Sequence, residues 1–263
     1  MTTAAKSLIE GPAYAIGGPT GYDEVVGFSK VLPALKPLDD LAHPDLLLFQ
    51  TLHIMPELCW YTMHHEIRRA AAALSDGSYT RAVKFLDRAV HLQRMTVDQI
   101  DCLRETIPQA DFLGIRATLP GNDSGLDSPG AKNLHRVARH LWLVFEAAMA
   151  RHGARPVDLM SREVAEAAPA DGEISGLASV ARKLMELDDA LLDWQQVHQR
   201  LVWSRVGGHP NFRETPSEEG GPLTATGKSG RPVDLLDKFA VRLHFAELWR
   251  AAQIVSMRES ASY

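Results

Sequence analysis

Apolar residues recur along most of the chain at spacings of three and four, and no stretch shows the strict alternation of a half-buried strand. That pattern predicts an all-α fold, a helical bundle. The first helix opens at Pro44 and runs to about Leu74, where Ser75, Asp76 and Gly77 supply a stop. A second fits Thr80 to Thr106 and is closed by Pro108, and a third fits Ala131 to His152, ended by Gly153. A fourth runs from Ile174 to about Val206 and meets the breaker Gly207-Gly208-His209-Pro210, and a last one fits Val233 to about Met257. Between the second and third, residues 120–130 are turn-forming almost throughout and predict a loop. Residues 207–232 hold six Gly and four Pro. A segment so long and irregular inside a compact domain is expected to be a functional loop at the site. No internal repeat or separating linker is evident, so residues 1–263 read as one domain whose first twenty residues are flexible.

Two helices carry unusual faces. The stretch from Leu46 to Met63 is apolar nearly all round, which predicts a place in the middle of the bundle. Its polar residues Gln50, His53 and Glu57 fall at spacings of three and four, with Trp60 and His64 continuing the row. An inward polar row lines a cavity, a ligand or an ion network, or forms a hydrogen-bonded network between helices. Pro56 removes one amide donor and presses on the carbonyl of Leu52, opening space beside His53. In the fourth helix Leu184, Leu187, Leu191, Trp194, His198 and Leu201 form an inward stripe, with His198 where an apolar residue is expected. His198 is therefore either a satisfied core histidine or an axial ligand to iron, since neutral imidazole is a good iron donor. A different metal arrangement, non-heme iron held by His53, Glu57 and His64, also fits the helical spacing.

Composition narrows the function classes. The chain has 28 Lys+Arg against 33 Asp+Glu, a formal net charge of −5, and no basic block, so nucleic acid is not an expected partner. The longest apolar run, Leu46 to Leu52, falls far short of the roughly 18 residues of a membrane span, and residues 1–11 lack the form of a secretory leader. The chain therefore reads as cytoplasmic, with Cys59 and Cys102 as plain core thiols and no zinc-type spacing.

The string LLLFQTLHIMPELCWYTMHHEI, residues 46–67, resembles the distal helix of the tryptophan 2,3-dioxygenase family through Phe49, His53, Glu57-Leu58 and Glu66. Four further segments follow the family's order: Tyr22 with FSKVL (28–32), FLGIR (112–116), Ser124-Gly125, and WQQVH (194–198) with Gly207 nine residues on. The resemblance implies a heme b oxygenase assembled as a homotetramer. It implies His198 as the iron ligand with Trp194 at the cofactor, and His53 as the distal catalytic histidine. Phe49 and Phe112 would wall the pocket, Arg116 would clamp the substrate carboxylate, and Ser124 and Thr226 would contact substrate, with Tyr22 reaching in from a neighbouring subunit. The chain departs from the family at its threonine-glycine loop, where LTATGKSG (223–230) is the nearest match, and has Val25 in place of a second tyrosine. Val202 occupies the position where a tyrosine-hydroxylating variant carries the cysteine that tethers heme.

The function this implies is insertion of oxygen, from O2 or peroxide, into L-tryptophan or a substituted tryptophan at the indole 2,3 bond. Mono-oxygenation by O2 would require an external reductant, and dioxygenation would not. Heme-dependent 3-hydroxylation of L-tyrosine is the alternative, followed by the non-heme iron enzyme and a non-catalytic helical ligand-binding protein.

Overall fold

The computed structural model describes residues 20–36, 40–119, 128–161, 172–216, 218, 225–228, 230 and 232–260. Among these the chain is all-α, and the one extended feature is an isolated bridge between Thr226 and Pro232. Two short helices, α1 (Gly21–Val26) and α2 (Phe28–Val31), are hinged at Gly27, whose φ of 74° suits glycine. The long helices are α3 (Leu46–Ser75), α4 (Tyr79–Thr106), α6 (Pro129–Arg151) and α8 (Glu173–Arg205). Shorter ones complete the set: α5 (Gln109–Thr118), α7 (Pro156–Leu159), α9 (Leu235–Phe239) and α10 (Ala246–Ser260).

The predicted stop after the first helix forms a tight turn at Gly77, with φ of 73°, and sends α4 back along α3. Small residues at the end of α3, Ala70, Ala71 and Ala73, are buried and let the neighbouring helices approach closely. α8 packs on α4, and Leu184, Leu187, Leu191, Trp194 and Leu201 of the stripe read from the sequence are buried, with His198 half-buried among them. Gly130 lies beside Glu57, and Arg151 donates to the carbonyl of Leu74, so α6 runs parallel to α3. No helix among the described residues is long and apolar enough to cross a membrane.

Two expectations need correction. The last helix is not continuous from Val233 to Met257; it is broken between α9 and α10. The cause lies on α8. Asp188 is fully buried there, and its carboxylate accepts from the backbone amides of His244 (2.9 Å) and Phe245 (2.8 Å) and from Trp249 Nε1 (3.2 Å). Amides entering a helix lack intrahelical acceptors, and a buried carboxylate supplies one here with the charge sign the helix N-terminus favours. Asp188→Asn turns one acceptor into a donor facing N–H groups, and is expected to cost about 2–3 kcal/mol. The urea midpoint checks this, and an unchanged midpoint removes Asp188 from the role.

The second correction concerns α3, whose outer face is not covered by the described residues: Leu48, Met55, Leu58 and Tyr61 are exposed, Tyr61 by 80%. α4 and α6 cover two sides of α3, so an all-round apolar pattern overstates its burial. The segment around Phe112, to which the sequence pattern assigned no element, is helical. α5 starts after Pro108, and Gly114 within it allows close approach to His43, whose ring would lie 3.3 Å from an added Cβ.

Candidate active site

α3 supplies the first half of the site. His53 Nδ1 lies 2.7 Å from the carbonyl oxygen of Phe49, one turn earlier. A carbonyl can only accept, so Nδ1 carries the proton and Nε2 presents a free lone pair. The Phe49 ring stacks at 4.1 Å from the His53 ring, and α5 brings Phe112 to 6.2 Å from Phe49. Burial lowers the His53 pKa below its ordinary value, which keeps the imidazole neutral near pH 7.

The second half comes from α8 and α9. Trp194 stacks on His198 with centroids 5.2 Å apart and planes 21° apart, and Phe239 meets the same imidazole edge-on at 6.2 Å. Trp60 of α3 abuts Trp194 at 5.3 Å and 80°, and its Nε1 donates to Gln93 Oε1 at 3.1 Å. His198 Nδ1 and Trp194 Nε1 are both buried without a hydrogen-bond partner. The pKa of His198 falls to about 4, first through burial and then through the charge of His53, so the two imidazoles lie within electrostatic reach.

This arrangement carries a pH dependence whose sign is fixed. His198 titrates at about 4 when folded and at 6.5 when exposed, so the unfolded chain takes up the proton first as pH falls. Stability from this group is complete above about pH 6.5 and is lost progressively toward pH 4, on the order of 3 kcal/mol in all. Denaturation of the cofactor-free protein across that window should show the slope, and His198→Gln should flatten it. Equal slopes in the two proteins would assign the acid loss to other groups.

Arg116 stands one turn beyond Phe112 on α5, and its Nη2 donates to the backbone carbonyl of Thr226 at 3.1 Å. Lys228 returns the contact by donating to the carbonyls of Arg116 and Leu119 at the end of α5. The predicted pair Arg116 and Thr226 therefore comes together, through the Thr226 main chain, while its side chain is exposed. Tyr22 is 71% exposed and packs on Phe28 at 6.4 Å, away from the aromatic cluster. Ser124 lies outside the described residues.

The remaining polar row on α3 does not converge on a metal. Glu57 Oε2 accepts from the amide of Gly130 at 2.9 Å, and a Cβ at Gly130 would sit 2.6 Å from that oxygen and 2.8 Å from Trp60. His64 faces Arg68 and Arg136, which with burial depress its pKa. His53 and His64 are separated by roughly 16 Å of helix rise, too far for one ion, which overturns the non-heme iron arrangement. Among the described residues only His43, Asp45 and Asp111 bring three ligand atoms together. There His43 Nδ1 already accepts from the Asp45 amide at 3.1 Å, and Nε2 lies 3.5 Å from Asp111 Oδ1.

Phe239, Gln93 and Gly130 had no signal in the sequence. Phe239 reaches His198 only because the last helix is broken behind it, and Gln93 is a single polar residue in an amphipathic pattern.

No protein-family model matches the chain. Among curated proteins, the tryptophan 2,3-dioxygenase of Caulobacter vibrioides is 26% identical over 231 residues, covering 72% of this chain and 86% of that one. The Rhodococcus jostii tryptophan 2,3-dioxygenase is 32% identical over 154 residues, 55% of this chain and 50% of its own length. The chain is similar to the tryptophan 2,3-dioxygenases. A third relative of that name, from Kineococcus radiotolerans, is 33% identical over 109 residues, 41% of this chain and 37% of its own. The similarity therefore runs long at low identity, and the stronger local matches span half or less of the relatives concerned.

Proposed function

We propose that this chain is a heme-dependent oxygenase of an aromatic L-amino acid, with L-tryptophan or a substituted tryptophan attacked at the indole 2,3 bond. The observation that carries the reading is His198: deep, neutral, without a hydrogen-bond partner at Nδ1 among the described residues, and within electrostatic reach of His53. The name of the relatives supports the choice of tryptophan and of oxygen chemistry. The donor set fits heme. A neutral imidazole offers iron its Nε2, the flanking rings of Trp194, Phe239 and Trp60 suit a flat apolar macrocycle, and the orphaned Trp194 N–H has room for an acceptor. When bound, heme supplies the activation of oxygen that no side chain here provides.

The protein's own part is binding and orientation. Arg116 pairs its guanidinium with the substrate carboxylate, and the 225–228 segment beside it contributes Thr226. Phe49 and Phe112 bury the substrate ring at little conformational cost. His53 Nε2, with its lone pair free, accepts the indole N–H and so fixes which edge of the ring faces the cofactor. The same acceptor serves a phenol hydroxyl, which keeps L-tyrosine 3-hydroxylation as the second reading. In this proposal the chain is a single cytoplasmic domain, assembled as a homotetramer in which Tyr22 and Ser124 complete a pocket; Cys59 and Cys102 stay free thiols.

The test is the visible spectrum of protein expressed with ample heme, titrated with L-tryptophan and separately with L-tyrosine, followed by product mass under 18O2. A Soret band shifted by tryptophan, with one or two labelled atoms in the product, is expected; one atom formed only with added reductant defines a mono-oxygenase. A shift with tyrosine alone selects the hydroxylase, and a folded protein without a Soret band overturns the proposal.

A further inference from the structure

The two histidines of the site are held in different ways. His53 and Phe49 stand four residues apart in α3, and the ring donates to the Phe49 carbonyl at 2.7 Å. His198 and Trp194 have the same spacing in α8, yet His198 Nδ1 is buried with no partner. Buried ring nitrogens are ordinarily paired, and an iron-ligating histidine ordinarily gives its second nitrogen to an acceptor that fixes its rotation. What bounds the His198 ring instead is aromatic: the Trp194 face on one side and the Phe239 edge on another.

Each wall is anchored from further out. Trp194 is met edge-on by Trp60, and Trp60 is fixed through its indole N–H by Gln93. Gln93 is wholly buried on α4 and leaves its own Nε2 unpartnered, so a leucine would fill the place with less buried polarity. Its carbonyl oxygen holding Trp60 is the use the structure makes of it. Phe239 ends α9, and that helix is tied down at Asp237, which pairs with Arg213 at 2.6 and 3.0 Å. Asp237 also accepts from Gln199, the residue after His198, at 3.2 Å.

We propose that His198 is oriented by this aromatic clamp in place of a hydrogen bond, with Gln93 and Asp237 as the positioning residues that hold its two walls. The proposal takes its consequence for iron from the heme reading above, but the clamp itself is a property of the protein alone. Without an acceptor on Nδ1, ligand basicity is not raised by a hydrogen bond, and the ring answers to displacement of either wall.

The experiment compares wild type, Gln93→Leu, Gln93→Glu and Phe239→Leu. In the heme-loaded ferrous proteins, the iron–histidine stretching band should shift or broaden in Gln93→Leu and Phe239→Leu, with heme held about tenfold more weakly. Gln93→Glu, which keeps an oxygen acceptor for Trp60, should retain the wild-type band. In the cofactor-free proteins, the imidazole 15N resonances of His198 should move in Gln93→Leu while those of His53 stay in place. Unmoved resonances, or a wild-type band in both Gln93→Leu and Phe239→Leu, overturn the clamp. A wild type that takes up no heme overturns the heme reading alone, and the 15N resonances then decide the clamp.

Discussion

His198→Ala abolishes the Soret band of heme-supplied protein while leaving the helical circular dichroism in place. The expectation follows from the balance of what the residue does for the fold and for the site. His198 contributes no hydrogen bond to the fold, and its burial holds the imidazole neutral, with a pKa of about 4. Removing it leaves a small hole between Trp194 and Phe239, a loss the surrounding α4–α8 packing tolerates. His53, the imidazole whose charge reaches His198, has Nδ1 committed to the Phe49 carbonyl and is carried by a different helix. Adding free imidazole to His198→Ala should restore part of the band, because the cavity matches the missing ring. An intact band in the variant, at wild-type intensity, would place the iron ligand elsewhere and undo the assignment. Since neutral imidazole is the binding form, heme affinity of the wild type should also fall as pH drops toward 4.

The long helices were legible because their ends are chemical. Gly77 and Gly153 adopt positive φ at the predicted stops, and Gly207, at φ of 102°, follows the end of α8. The break between α9 and α10 was not legible, because its cause, Asp188, lies more than fifty residues away and acts only once α8 is in place. The same holds within the site. Phe49, Phe112 and His53 form one cluster, and Arg116 meets the 225–228 segment. The supports behind them, Gln93 for Trp60 and α9 for Phe239, carry no motif, since any residue with the right atom at that point in space would serve. The exposed face of α3 shows the opposite error: an apolar pattern reports that a face avoids water, but not which chain covers it.

Arg116→Ala should weaken binding of the amino-acid substrate by about 30- to 100-fold, the equivalent of about 2–3 kcal/mol for a charge-assisted pair with a carboxylate. Guanidinium has five N–H donors, and one of them is spent on the Thr226 carbonyl, so a paired contact to carboxylate remains available. The substitution need not release the neighbouring segment, because Lys228 bonds to the main-chain carbonyls of residues 116 and 119, which alanine keeps. That separates the loss of an anchor from the loss of the loop. Arg116→Lys keeps the charge without the planar fork and should recover only part of the affinity. Titration of the Soret band reads the affinity directly, and the decarboxylated amine of the same substrate supplies the control. That amine should bind wild type and Arg116→Ala alike, while the amino acid separates them; equal affinity of the amino acid for both proteins would remove Arg116 from the site.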